Sequence, residues 1–409
     1  MNHSSGTPDF PTSRRQGIAA GALILAMGLS VRFPITSVSP LLSNIGEHYG
    51  LTQSGLAALS AIPVLLFGVA SPLAPWLVAR LGLERALTVL LAALALATLV
   101  RPLNAPLLFG GTVIIGATIA LIGILAPQVI RRSLPKRGGF WTGVYTTAFG
   151  ASAAAGAAFA VPVFALVGES TALALASWAV PLLIALGVTL GFAPTLRGAG
   201  PERPGANQPP AASVFKARGL WPVTGFFACQ ALIYFSLTAW LPTIAADRGM
   251  EPVQAGLLLA WMSIAGLPAS LLAPTLAGRA RLRTTLIVTV GLLSATGLVG
   301  LAYGPIELAP VMVAVLGIAQ SAAFGLSIAL IVFTAPSAAQ TASFSAISQG
   351  AGYLVAAGGP LLLGLLAQIG WSWASIVVLL TAASLGELVF GVTASRASLK
   401  PGPTADPDH

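Results

Sequence analysis

Residues 106–130 read PLLFGGTVIIGATIALIGILAPQVI, a run without one charged side chain, with Arg131-Arg132 directly after it. At 1.5 Å per residue this run spans the roughly 30 Å hydrocarbon core of a bilayer as one α-helix. In lipid the backbone N–H and C=O groups must be satisfied internally, which a helix does. Eleven comparable segments surround it: 17–44, 54–79 and 84–104 before it, then 138–167, 170–194, 219–246, 254–278, 283–304, 308–333, 341–368 and 372–395. The reading is an all-α membrane protein with twelve transmembrane helices.

Composition agrees. Of 409 residues, 56% are hydrophobic and 8% charged, whereas a soluble domain needs about a quarter charged residues to cover its surface. Forty-five glycines and thirty prolines suit membrane helices, where small residues allow close approach and neighbours re-satisfy freed backbone groups.

The basic residues orient the chain. With both ends cytoplasmic, the cytoplasmic segments hold 17 of the 20, in clusters at Arg14-Arg15, Arg80 and Arg85, Arg131 to Arg137, Arg197 to Arg218, Arg279 to Arg283, and Arg396 with Lys400. The opposite face keeps Arg101 and Arg248 with the acids Glu47, Glu169, Asp247, Glu251 and Glu307. This asymmetry follows the positive-inside rule and fits an even number of spans in a bacterial-type inner membrane. Arg14-Arg15 lacks the flanking pattern of a twin-arginine signal and reads as a charge anchor for an uncleaved first helix. The net charge of +9 is spread over short loops, not an aromatic-interleaved patch, so nucleic acid is not an expected partner.

The chain repeats itself. Ser71-Pro-Leu-Ala-Pro75 followed by Arg80 recurs 199 residues later as Ser270-Leu-Leu-Ala-Pro274 followed by Arg279. Ser39-Pro40-Leu41-Leu42 late in the first helix matches Leu241-Pro242-Thr243-Ile244 late in the seventh, and Pro106 and Pro310 open the fourth and tenth. Two pseudo-symmetric six-helix bundles follow, at 1–194 and 219–409, joined by a Pro-, Gly- and Ala-rich linker at 195–218.

Several functions are excluded or disfavoured. No Gly-rich loop ends in G-K-[ST] after a strand, which argues against a nucleotide cradle. Cys229 is the single cysteine, and the three histidines are His3, His48 and His409, so neither metal nor cofactor is expected. Scattered acids disfavour a membrane enzyme. A non-transporting sensor would need a signalling domain, for which the linker and tail are too short.

The loop Pro75-Trp-Leu-Val-Ala-Arg80-Leu-Gly82-Leu-Glu-Arg85 resembles, in degenerate form, the G-x-L-a-D-r-x-G-r-r motif of the major facilitator superfamily. The motif's aspartate is replaced by Ala79 here and by Gly278 in the second copy. More specifically, Leu29-Ser-Val-Arg32-Phe-Pro-Ile-Thr36-Ser37-Val-Ser-Pro40-Leu-Leu is similar to the helix 1 signature of the cyanate permease and 2-nitroimidazole transporter family. Pro127-Gln-Val-Ile-Arg131-Arg132, Thr142-Gly143-Val-Tyr145, Gln230-Ala-Leu-Ile-Tyr234 with Trp240-Leu241-Pro242, and Ser348-Gln349-Gly-Ala-Gly352-Tyr353 extend the resemblance over nearly the whole chain. It implies the major facilitator fold and transport of a small-molecule substrate.

Arg32 leads the substrate-binding candidates. It lies 15 residues into the first segment, too deep for easy reach to either surface, and a mid-bilayer arginine costs about 2.5–3.5 kcal/mol on insertion scales. A wet cavity, a partner acid or an anionic ligand must offset that cost, and the planar fork of guanidinium donors suits a small planar anion. Thr36 and Ser39, at i+4 and i+7, are expected on the same helix face. Gln230 with Tyr234, and Gln349 with Tyr353, form two further i, i+4 pairs; Tyr234 is the seventh-helix counterpart of Arg32 at an offset of 202. Tyr145, Trp240 and Trp261 complete the set. Glu387 is the one acid well inside a segment. Because the resemblance makes the twelfth helix peripheral, Glu387 is expected to snorkel or be protonated rather than take part in transport.

The expected function is secondary active or facilitative transport of a small cyanate-like anion, or a small planar polar solute, by alternating access. The alternative is export of nitroimidazole-like or other neutral drugs. The chain is expected to be monomeric in the lipid bilayer, and a coupling proton stays open.

Overall fold

The computed structural model of the protein describes residues 14–196 and 211–399, all helix, turn or loop without a strand among them. Twelve spans cross a membrane-sized slab when the one bent pair counts once. They are α1 (Arg15–Tyr49), α2 (Ala58–Val69 with Leu73–Leu81), α3 (Leu83–Leu103), α4 (Ala105–Ser133), α5 (Pro135–Leu166) and α6 (Thr171–Phe192). The second six are α7 (Leu220–Asp247), α8 (Gln254–Ala277), α9 (Ala280–Tyr303), α10 (Ile306–Thr334), α11 (Thr341–Gln368) and α12 (Trp373–Leu399). An even count puts both described ends on one face, here called the terminal face; the other is the far face. Of the expected linker, residues 197–210 lie outside the described residues, and Ala211–Lys216 forms a 3-10 turn.

Two spans expected to be continuous are not. In α1 the first helix stops at Ser30, a four-residue helix runs Phe33–Thr36, a 3-10 turn covers Ser39–Leu41, and helix resumes at Leu42. Ser30 and Thr36 each lie four residues before a proline, Pro34 and Pro40. A proline ring clashes with the carbonyl at i−4 and offers it no N–H, so each helix ends there. In α2 the first piece ends at Val69, three residues before Pro72, and the two pieces meet at 65°. The repeat copy carries Leu271 at the place of Pro72, and α8 stays one helix through Pro268 and Pro274.

Across the middle of the molecule α5 packs on α8 and α2 on α11. Exchanging corresponding spans of the two sets, α5 with α11 and α2 with α8, converts one pair into the other, as a two-fold relating the sets would. Both contacts are backbone-close. A Cβ on Gly143 of α5 would sit 2.5 Å from Leu271 O of α8, and Cβ atoms on Gly139 and Gly350 would strike Pro274 O and Ser71 Oγ. The repeat serines therefore occupy matching positions: Ser71 rests on α11, and Ser270 meets α5 through Thr147 Oγ1 at 2.8 Å.

Glu387 departs from the peripheral placement expected for it. It has no exposed surface and sits between α12, α9 and α10, so it does not snorkel. Arg101, expected at the far-face end of the third segment, lies in the 3-10 turn that ends α3, at 1% exposure.

Candidate functional site

A cavity of about 670 Å³ lies between the two sets of six spans, walled by α1, α2, α5, α7, α8, α10 and α11. It reaches Gly256, two residues into α8, at the far face. Toward the terminal face it is closed. Thr146 donates to Ser270 O at 2.8 Å, and Arg131 at the end of α4 donates to Val332 O of α10. The glycine-mediated α5–α8 and α2–α11 contacts lie in the same layer.

Arg32 lines this cavity from the break in α1 and, among the described residues, is the sole charged one in its wall. It is the residue before the short Phe33–Thr36 helix, and its own carbonyl accepts from Thr36 Oγ1 at 3.0 Å. The guanidinium rests on aromatic faces, 4.9 Å from the Phe149 ring centre and 5.9 Å from that of Phe67. Its Nε is buried with no hydrogen-bond partner. The ion pair Arg132–Glu84, at 3.2 Å, lies elsewhere, between the end of α4 and the start of α3. A cation resting on aromatic faces keeps its charge, since the ring quadrupoles hold it without neutralising it.

Four other expected residues join it. Thr36, Gln230, Tyr234 and Tyr353 all line the cavity. Gln230 Nε2 donates to Gln320 O at 3.3 Å. Tyr353 sits among Phe227, Phe67 and Phe235, with ring centres at 5.0, 5.3 and 6.2 Å. Tyr234 and Arg32, which the sequence repeat aligns, line the same space from α7 and α1.

The remaining candidates lie outside the cavity lining. Tyr145 and Gln349 line a small pocket beneath it, together with Phe67, Phe149 and Tyr353. Gln349 Nε2 donates to Ser345 Oγ at 2.7 Å and approaches Gly123 O at 3.4 Å, tying α11 to α4. Trp240 Nε1 donates to Pro360 O and its ring lies tilted against Trp373, while Trp261 Nε1 donates to Pro310 O, each hydrogen bond at 2.9 Å. Both indoles brace neighbouring helices. Ser39 is exposed and away from the cavity, because the turns at 31–32 and 37–38 break the i, i+7 relationship with Arg32.

Sequence reasoning passed over Phe67, Phe149 and Phe324, whose apolar rings give no signal in an apolar helix, and also Gln320 and Ser270. Gln320 is a lone amide inside an apolar run, the same signal that marked Gln230. The described residues contain no cluster of potential metal ligands.

The sequence profile of the Major Facilitator Superfamily matches residues 18–357. Among curated proteins, the chain is 33% identical to the 2-nitroimidazole transporter of Escherichia coli over 93% of this chain and 95% of that one. It is also 33% identical to the uncharacterized transporter YycB of Bacillus subtilis, over 91% and 92% of the two chains. The cyanate transport protein CynX of Escherichia coli is 28% identical over 86% and 90%. Among solved structures, the human organic anion transporter MFSD10 superposes with a TM-score of 0.74 at 14% identity, covering 93% of this chain and all of that one. At that identity the likeness speaks for the fold alone.

Proposed function

The chain belongs to the Major Facilitator Superfamily, hence is a membrane transporter and not an enzyme, and we propose that it carries a small planar solute with negative charge at one edge. Cyanate is the first candidate. Transport proceeds by alternating access, secondary active or facilitative, with residues 1–194 and 219–409 rocking about the central cavity and 195–218 linking them. Arg32 receives the solute's negative edge, and Gln230, Tyr234 and Tyr353 shape the space around its plane. The observation carrying this reading is the guanidinium in the cavity wall, without an acid among the described residues of the lining to neutralise it. The names of two relatives, a cyanate transport protein and a 2-nitroimidazole transporter, support a small planar substrate.

A second reading, carriage of nitroimidazole-like neutral aromatics, is favoured by the cavity's size and aromatic walls. A space of about 670 Å³ far exceeds a triatomic anion, and rings stack on Phe and Tyr faces. With the basic segments cytoplasmic in a bacterial inner membrane, the far face is extracytoplasmic and this conformation is outward-facing. The transporter acts as a monomer.

The test is thermal-shift and equilibrium binding of purified protein with cyanate and with 2-nitroimidazole, in the native chain and in Arg32→Gln. Cyanate binding lost in the variant supports the first reading. Nitroimidazole binding that survives the substitution supports the second. Binding of neither compound to the native chain overturns both.

A further inference from the structure

Behind the cavity wall, Glu387 of α12 is buried where α12 packs on α9 and α10. Ser294 of α9 and Gln320 of α10 are its polar neighbours, themselves 0% and 1% exposed. Neither donates to it with hydrogen-bond geometry: both carboxylate oxygens lack a partner, and so does Gln320 Oε1. Gln320 instead spends its amide, donating from Nε2 to Ser294 Oγ at 2.9 Å. Three acceptor oxygens share one buried site, and a proton on the carboxyl turns one of them into a donor.

No cation answers the carboxyl. Arg396 on α12 lies nine residues from Glu387, and Arg283 on α9 eleven from Ser294, or about 14 and 16 Å along their axes. On α7 the titratable neighbour is the thiol of Cys229; Tyr234 of α7 and Tyr353 of α11 belong to the cavity wall, and Glu307 of α10 lies at its far-face end. A buried, unpaired carboxylate costs far more than its neutral acid. The resting side chain is therefore the acid.

The site is one side chain away from the substrate space. Gln320 lines the cavity as well as bordering Glu387, and its backbone carbonyl accepts from Gln230, another wall residue. A solute that draws the Gln230 amide toward itself disturbs the same helix segment that roofs the carboxyl. We propose that Glu387 is a proton-binding site coupled to the substrate cavity through Gln320 and Gln230. The Glu387 O–H bond breaks when the roof opens; the proton passes to a cavity water, the bonding pair stays on the oxygen, and the carboxylate is reprotonated from the other side after the bundles rock. This rests on the solute-carrying reading of the cavity and gives it a coupling ion.

Two measurements on the full chain test it. Infrared spectroscopy of the purified protein in lipid should show the C=O stretch of a protonated carboxylic acid at neutral pH, and Glu387→Gln should abolish it. Absence of that band in the native chain, or its survival in Glu387→Gln, overturns the proposal whatever the cavity carries. Proteoliposomes are then loaded with radiolabelled cyanate or 2-nitroimidazole. One proton per solute lets a one-unit pH gradient sustain about tenfold accumulation. In Glu387→Gln that accumulation should fall to the equilibrium level, while counterflow at equal pH continues. Undiminished gradient-driven accumulation in the variant refutes coupling through this carboxyl, and loss of counterflow together with accumulation makes it structural and refutes it too. If the native chain moves neither probe, the carrier reading fails while the infrared result still decides the proton site.

Discussion

The guanidinium carbon of Arg32 lies 4.9 Å from the ring centre of Phe149, joining the break in α1 to the middle of α5 inside the cavity. The ring holds the cation in place without neutralising it. Replacing Phe149 by Leu keeps the bulk and removes the quadrupole, at a cost of about 1 kcal/mol in holding the guanidinium. Solute affinity is expected to fall by about fivefold, read by equilibrium binding, and an unchanged affinity would remove the ring from the binding geometry.

Arg32 itself sets a larger effect. A hydrogen bond to a charged group contributes about 1.5–3 kcal/mol, so Arg32→Gln should weaken an anionic solute roughly ten- to a hundredfold. Arg32→Lys keeps the charge and loses the planar fork, and should fall between the two. Affinities ranked native, then Lys, then Gln in a binding isotherm check both parts of this expectation.

Closure of the terminal face depends on glycines that let backbones touch. A valine at Gly143 puts its Cβ 2.5 Å from Leu271 O, and overpacking of this kind costs about 1–3 kcal/mol. That penalty falls on the closed arrangement alone and shifts a two-state equilibrium by about five- to a hundredfold. A cysteine placed at Ala153 in the cavity wall, in a Cys229→Ser background, reports it. Far-face labelling by an impermeant thiol reagent should slow in Gly143→Val. Gly350→Val, which meets Ser71 across the symmetric contact, should act in the same direction.

Pro34 exchanges stability for a broken helix. Pro34→Ala removes the clash at the Ser30 carbonyl and restores an N–H, and a proline inside a helix costs about 3 kcal/mol relative to alanine. The variant should melt at a higher temperature. It should also bind solute less well, because a continuous α1 rotates Arg32 relative to Thr36 and the cavity. Differential scanning fluorimetry with and without solute separates the two effects; a lower melting temperature would assign Pro34 a packing role.

Much of the fold is legible in the sequence alone. Twelve apolar runs of membrane length, the positive clusters between them and the Ser71 and Ser270 repeat follow from the thickness of hydrocarbon and from duplication. The stops at Ser30 and Thr36 were also within reach, four residues before Pro34 and Pro40, though the run reads as one helix when hydropathy alone is weighed. Arg32, Thr36, Gln230, Tyr234 and Tyr353 line one cavity, and the sequence singles them out because polar groups in lipid need a wet or bonded place, whatever the detail of packing.

What the chain could not disclose is which way each helix is turned. A membrane helix is apolar toward lipid and apolar toward its neighbours, so its sequence carries little signal for the inward face. Gln349 and Gln320 are both single amides in apolar runs, yet one ties α11 to α4 and the other stands between the cavity and a buried acid. Glu387 reads as a lipid-facing carboxyl on a peripheral helix, and packing against α9 and α10 encloses it instead. Those assignments belong to the tertiary structure alone, because helix rotation is set by the fit of small residues between neighbours, a property of pairs of helices and not of any one.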